Sequence, residues 1–213
     1  ELDSSVSVVW DGGSQTVTVR SSKLNLTAKV GQLYLVANGR YLYIPEGVQL
    51  VNGRVTVPLS VLTEAFDASL TWNAATGVVA VTRGSGALTP ADQYYNQDDL
   101  FWLCRIIYAE SGNQPLEGMM AVGNVVLNRV NDPIYPNTIV GVLAQKNQFT
   151  TYQSGKLAYR TPNENSVIAA KLVLDGGVVE ETKGATHFDS CSNSWASRHK
   201  TCVAVIGGHR FYA

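Results

Sequence analysis

Hydrophobic and polar positions follow two different periods, one in each half of the chain. Up to residue 82 the period is close to two. Val6-Ser7-Val8-Val9-Trp10, Asp11-Gly12-Gly13-Ser14 and Gln15-Thr16-Val17-Thr18-Val19 give an alternating run, a Gly-rich break and a second run, the pattern of a β-hairpin. The same order of tryptophan, turn and Val-rich run recurs in Leu70-Thr71-Trp72, Asn73-Ala74-Ala75-Thr76-Gly77 and Val78-Val79-Ala80-Val81-Thr82. Between these hairpins the sequence predicts short strands around Gly31, Asn38-Gly39 and Asn52-Gly53, then a helix over 59–66 behind Val57-Pro58. Trp10 and Trp72 are expected to pack a small core within their hairpins, stacking on a glycan being the other use of such rings. Arg83-Gly84-Ser85-Gly86-Ala87-Leu88-Thr89-Pro90 reads as a linker, which divides the chain into 1–86 and 87–213.

Beyond the linker the period becomes helical. Asp98 is expected to cap a helix that leads to Glu110, and Pro115 to open a second helix running to about Val130. A third helix is expected over 137–146. A fourth covers the run 166–175, with Thr161-Pro162-Asn163-Glu164 as its capping box and Gly176-Gly177 as its stop. The rest is more β-like, and Cys202-Val203-Ala204-Val205-Ile206 reads as a strand. The fold class expected is α+β: a small strand-rich module followed by a mainly helical domain with a small sheet.

Composition narrows the partners. Residues 1–86 carry six Lys/Arg and six Asp/Glu, and residues 87–213 carry ten and eleven. Neither half has the basic excess of a nucleic-acid or acidic-membrane binder. Charged residues make up only 15% of the chain, while amides, hydroxyls and glycines are frequent, a surface suited to an uncharged polar ligand such as a glycan. No apolar run is long enough for a membrane span, and Glu1-Leu2-Asp3-Ser4-Ser5 is unlike a signal peptide. Cys104, Cys191 and Cys202 have no metal-type spacing, and no cofactor or metal is expected. Cys104 reads as a core residue; Cys191 and Cys202 are either bridged or free.

Glu110 is the candidate catalyst. It closes the apolar helical run from Leu100 to Ala109 and is followed at once by Ser111-Gly112-Asn113-Gln114-Pro115. The helical period sets it on the shoulder of the buried face, beside Leu103 and Ile107. Burial and the negative end of the helix dipole both favour the protonated carboxyl that glycoside cleavage uses on a leaving oxygen. The plainer alternative is a helix-ending Glu in a salt bridge.

On the second helix, Glu117, Ala121, Asn124, Asn128 and Asn131 fall on one stripe, opposite Met119, Val122, Val126 and Val130. That stripe either faces a sugar or is a solvated or backbone-satisfied face. Glu117 is the one nearby acid that could serve as a second carboxylate. The loop from Gln145 to Gly155, with Gln148, Phe149, Thr150 and Tyr152, offers groups for hydrogen bonding to and stacking on sugars.

Two resemblances organise these readings. The run from Val51 to Phe66, with Trp72-Asn73-Ala74-Ala75-Thr76, resembles the copper amine oxidase N-terminal-like domain of Gram-positive surface proteins. The copper in that name is not expected here, because all three histidines lie beyond residue 186. The module is expected to attach the protein to the cell wall or to a spore or wall protein.

The second half resembles the SleB/CwlJ cell-wall hydrolases. The blocks that carry the resemblance are Tyr108-Ala109-Glu110, Pro115-x-Glu117-Gly118, the run from Ala121 to Val130, Pro136-x-Thr138-Ile139-x-Gly141-Val142, Gln148-Phe149-Thr150, Gly184-Ala185-Thr186-His187-Phe188 and Ile206-Gly207-x-His209-x-Phe211-Tyr212. The resemblance implies a lysozyme-like domain, extracellular and wall- or spore-associated, that cleaves peptidoglycan glycan with Glu110 as its acid. The route implied is that of a lytic transglycosylase, cutting after N-acetylmuramic acid or its lactam. The alternatives are a water-using hydrolase and a wall-binding protein without catalysis. His187 is implied either to orient substrate or Glu110, or to be structural. This chain departs from the family pattern at Gln114, where many relatives carry a second Glu, and at Phe188-Asp189-Ser190, where spore enzymes often carry a Tyr/Phe-x-Asn-Pro run.

Overall fold

A computed structural model describes residues 5–191 and 193–213. Glu1, Leu2, Asp3 and Ser4, read above as unlike a signal peptide, lie outside the described residues. The chain divides between Tyr94 and Tyr95 into two compact units.

In the first unit, β1 (Ser7–Asp11), β2 (Thr16–Arg20), β3 (Asn25–Lys29), β4 (Tyr34–Ala37) and β5 (Arg40–Tyr43) form an antiparallel meander in chain order. Asn38 and Gly39, with φ of 51° and 81°, supply the two left-handed residues of a tight hairpin turn between β4 and β5. Asn52 and Gly53 do the same between β6 (Gln49–Val51) and β7 (Arg54–Thr56). The period of two is visible in β3, where Leu26 and Ala28 are buried and Asn25 and Lys29 are exposed. They join Leu24, Leu35, Leu42 and Ile44 in a core that also takes Ala65, the last residue of α1 (Leu59–Ala65), and Phe66 after it.

Two expectations for this unit are corrected. The hairpin β8 (Ser69–Asn73) with β9 (Val78–Thr82) is a two-stranded sheet of its own, so Trp72 is 61% exposed; Trp10, on the edge strand β1, is 45% exposed. Neither ring packs a core, because that core is filled by β3–β5 and α1. The segment read as a linker is strapped to the unit: Leu88 is buried, its N–H donates to Ala65 O, and the Ser85 N–H donates to Asp67 Oδ2. Its Gly/Ser/Pro composition signals turns, and one apolar residue among them suffices to dock it. The division accordingly falls after α2 (Ala91–Tyr94), later than the 86/87 boundary expected.

The second unit is built on α3 (Gln97–Ser111), α4 (Leu116–Asn131) and α7 (Glu164–Leu174), which pack pairwise; α5 (Ile139–Ala144) and the short α6 (Thr150–Gln153) lie between α4 and α7 in sequence. Leu103, Ile106 and Ile107 of α3 meet the buried Met119, Met120, Val122, Val125 and Val126 of α4 and Leu172 and Val173 of α7. The antiparallel sheet has the order β10 (His187–Asp189), β12 (His209–Tyr212), β11 (Cys202–Ile206), with α8 (Trp195–His199) between β10 and β11 in the chain. Two caps differ from those expected. Asn96, not Asp98, caps α3, its Oδ1 accepting from the Asp98 and Asp99 N–H groups, and this leaves both aspartates in the first turn, where the dipole favours them. Asn163, not Thr161, caps α7 by accepting from the Ser166 N–H at 2.9 Å, so Pro162 precedes the helix. Cys104 is buried, Cys191 and Cys202 are exposed, and all three are free thiols.

Candidate active site

Glu110 stands in the last turn of α3, half-buried, on the wall of an open cavity of about 390 Å³. Tyr108, Ala109, Gly112, Asn113, Arg160 and Asn163 complete the lining. Two contacts shape this pocket. Asn163 Nδ2 donates to Gly112 O at 2.9 Å, tying the start of α7 to the end of α3. The Tyr108 ring lies so close to Gly112 that a Cβ there would sit 2.6 Å from it, so only glycine leaves the ring in place. Just beyond, Gln114 Oε1 accepts from the Gly208 N–H at 2.7 Å and joins the bend after Glu110 to the β11–β12 turn. Gly207 (φ 57°) gives Gln114 the room, since a Cβ there would lie 2.2 Å from its Oε1.

Burial pushes the Glu110 carboxyl above the usual carboxylate range, and the Arg160 cation opposes it. No hydrogen-bond donor among the described residues fixes the carboxyl, so it is free to meet a leaving oxygen in the cavity. A raised carboxyl value also sets a sign for stability. The folded state keeps its proton to higher pH than the unfolded chain, so stability falls as pH rises from the unfolded carboxylate range, about 4.3, through the raised folded value. Glu110→Gln is therefore expected to melt above wild type at pH 7, with the gap closing at pH 4 and below; thermal unfolding across that range checks it, and an unchanged or lower melting temperature at pH 7 would contradict it.

The other candidates separate into distinct places. Asn124 is buried, with Nδ2 donating to Gly177 O at 2.9 Å and Oδ1 accepting from the Val179 N–H at 3.1 Å; both ends of its amide are occupied, which corrects its reading as a sugar ligand. Asn128 Nδ2 donates to Ala185 O at 2.8 Å and holds the strand entering β10. The stripe on α4 thus faces protein backbone at both positions. Phe149 is only 3% exposed and is a core residue, because the chain turns inward ahead of α6; its reading as a stacking platform is corrected too. Tyr152 is half-buried edge-on against Trp102, while Thr150 and Gln148 are exposed. Glu117 lines a different cavity, with Val179, Glu181 and residues 203–206 of β11. His187 on β10 is kept neutral, its pKa lowered to about 4 by burial and by the charges of Arg129 and Lys200.

Sequence reasoning passes over Arg129. It is 4% exposed, donates from Nε to Thr186 O at 2.7 Å and from Nη1 to Gln148 Oε1 at 3.0 Å, and lies over the Tyr135 and Phe149 rings. The signal was present, since a cation in a mainly apolar helical run, Val125-Val126-Leu127-Asn128-Arg129-Val130, either turns outward or is bonded inside. Asn163 and Arg160, far from Glu110 in sequence, carried no comparable signal.

Comparison with known proteins agrees with this architecture. The profile of the cell wall hydrolase family matches residues 113–212, and that of the copper amine oxidase N-terminal domain matches residues 2–81. Among the described residues no group of three or more His, Cys, Asp or Glu is placed to hold a metal ion. A spore cortex-lytic enzyme of Bacillus cereus is 41% identical over 121 residues, which cover 55% of this chain and 45% of that protein. The Bacillus subtilis spore cortex-lytic enzyme is 36% identical over 118 residues, covering 55% and 38%. The chain thus spans less than half the length of these curated relatives. Among solved structures, the catalytic domain of the germination-specific lytic transglycosylase SleB from Bacillus anthracis is 30% identical with a TM-score of 0.50, over 59% of this chain and all of that one. The catalytic domain of the Bacillus cereus SleB protein is likewise 30% identical, with a TM-score of 0.51 over 61% of this chain and all of that domain. With both catalytic domains matched along their whole length, the chain belongs to the cell wall hydrolase family that includes the spore cortex-lytic enzymes.

Proposed function

We propose that the second unit cleaves the glycan strand of peptidoglycan as a lytic transglycosylase, with Glu110 as its general acid and then its base. One observation carries this reading: among the described residues Glu110 is the single carboxyl lining its cavity, raised by burial. The protonated carboxyl gives its proton to the glycosidic oxygen as the muramyl C1–O bond breaks. The carboxylate left behind takes the proton of the same sugar's 6-hydroxyl, whose oxygen bonds to C1 and closes a 1,6-anhydro ring. No water is consumed, so no second acid is required to activate one. The names of the relatives, spore cortex-lytic enzyme and lytic transglycosylase, support the same substrate class and a spore-associated site of action; an extracellular, wall-associated one is part of the proposal. No helix among the described residues is long and apolar enough to cross a membrane.

Glu117 tests the reading from the other side. Because it lines a separate cavity, Glu117→Gln is expected to release fragments from peptidoglycan at the wild-type rate, followed by loss of turbidity of a wall suspension. A large loss would assign it the role of a second carboxylate and favour a water-using hydrolase. For the first unit we propose attachment to wall or to a spore or wall protein, a role supported by the solvent-facing rings of Trp10 and Trp72.

A further inference from the structure

The surface beside β10 carries an aromatic stack with two cations that have no carboxylate partner among the described residues. Ser194 and Ser197 close a reciprocal capping box at the start of α8, and Ser194 Oγ also donates to Asp189 Oδ2, so the short helix is fixed to β10. Trp195 stacks on His199, with ring centroids 4.7 Å apart and planes 14° from parallel, and the His187 ring lies 5.5 Å from it. Held in this way, Trp195 is still 55% exposed. The charge here is lopsided: residues 187–213 contain Arg198, Lys200 and Arg210 against a single carboxylate, Asp189. That carboxylate is already engaged by Ser194 and by the Tyr212 hydroxyl. Arg198 Nε donates to Ser194 O at 3.1 Å, which fixes the guanidinium on α8, but neither Arg198 nor Lys200 has a carboxylate partner among the described residues, and the charge of Lys200 is felt at His187.

A rigid indole beside cations without a carboxylate partner matches one kind of ligand. Apolar faces of sugar rings stack on aromatic faces, and carboxylates seek Arg and Lys. Peptidoglycan offers both together where muramic acid carries its peptide stem, and only the sugar face where stem and lactyl carboxylate are both replaced by a neutral amide or lactam. We propose that Trp195, Arg198 and Lys200 form a subsite for a stem-bearing muramyl residue, the ring resting on Trp195 and the stem carboxylates meeting the two cations. The subsite rests on the peptidoglycan reading above. Within the sheet, His187 pairs with Tyr212, three residues along β12 from His209, whose neighbour Gly208 is bonded to Gln114. At about 3.4 Å per residue, this places it roughly 10 Å along the sheet from the turn that touches the Glu110 bend, a reach suited to a polymer.

Cosedimentation of the full chain with insoluble peptidoglycan tests it, using walls with intact stems and the same walls stripped of stems by an amidase and then amidated at the lactyl carboxylates this exposes. The Arg198→Gln/Lys200→Gln variant is expected to bind intact walls about three- to tenfold more weakly, the scale of two exposed ion pairs, and stripped walls as wild type does. Trp195→Ala is expected to weaken binding to both walls about tenfold, and Trp195→Phe to restore most of it. Equal loss on both walls for the double variant, or wild-type binding by all variants, would overturn the subsite. Sedimentation reads no cleavage, so a chain that binds as expected but releases no fragments would sink the catalytic reading and leave the subsite standing.

Discussion

Glu110→Gln is expected to slow release of soluble fragments from peptidoglycan by about 10²- to 10⁴-fold, the contribution of a positioned general acid. The amide keeps the size and the half-buried seat at the end of α3 but has no proton to give. Folding and wall binding are expected to stay intact, because no hydrogen bond among the described residues depends on the carboxyl and burial opposes its charge. A variant that clears suspensions at the wild-type rate would remove Glu110 from the chemistry and assign the acid role to another group, whereas a wild-type chain that binds wall and clears nothing would be a wall-binding protein.

The second large effect is on stability. Arg129→Ala is expected to lower the unfolding free energy by about 3 kcal/mol, read as a fall in the urea midpoint with unchanged slope. The loss has three sources. The bond to the Thr186 carbonyl disappears and leaves that acceptor buried, Gln148 loses its anchor, and the space against Tyr135 and Phe149 is left unfilled. Arg129→Lys is expected to recover only part of this, since one ammonium cannot reproduce the spread of Nε and Nη1 donors. A midpoint for Arg129→Ala equal to wild type would show that β10 and the loop before α6 are held by something else.

The sequence carried the local rules well and the cross-chain ones poorly. The hairpins at Asn38-Gly39 and Asn52-Gly53, the strand at Cys202–Ile206 and the helix ending at Glu110 all follow from period and turn chemistry. The stop at Gly176-Gly177 does too, with Gly176 at a φ of 85°. Caps were harder to place, because Asn96 and Asp98, or Thr161 and Asn163, are both good caps on paper and only tertiary bonds choose between them. The exposed faces of the Trp10 and Trp72 hairpins were illegible for a related reason: alternation predicts a buried face but does not say whether a second layer exists to cover it. At the site, Glu110 was visible because its own helix sets its burial. Its companions reach the cavity through tertiary packing, Asn163 at the start of α7 and Arg160 at the end of the short turn over 156–159, both packed on α3, and Asn124 and Phe149 were misread because a polar or aromatic residue looks the same in sequence whether it meets a sugar or the core.

The most direct test is mass spectrometry of the fragments released from purified peptidoglycan by the wild-type chain and by Glu110→Gln. Anhydro-muramic ends from the wild type that vanish in the variant are the predicted result; reducing muramic ends from the wild type would contradict it and require a water-activating second carboxylate.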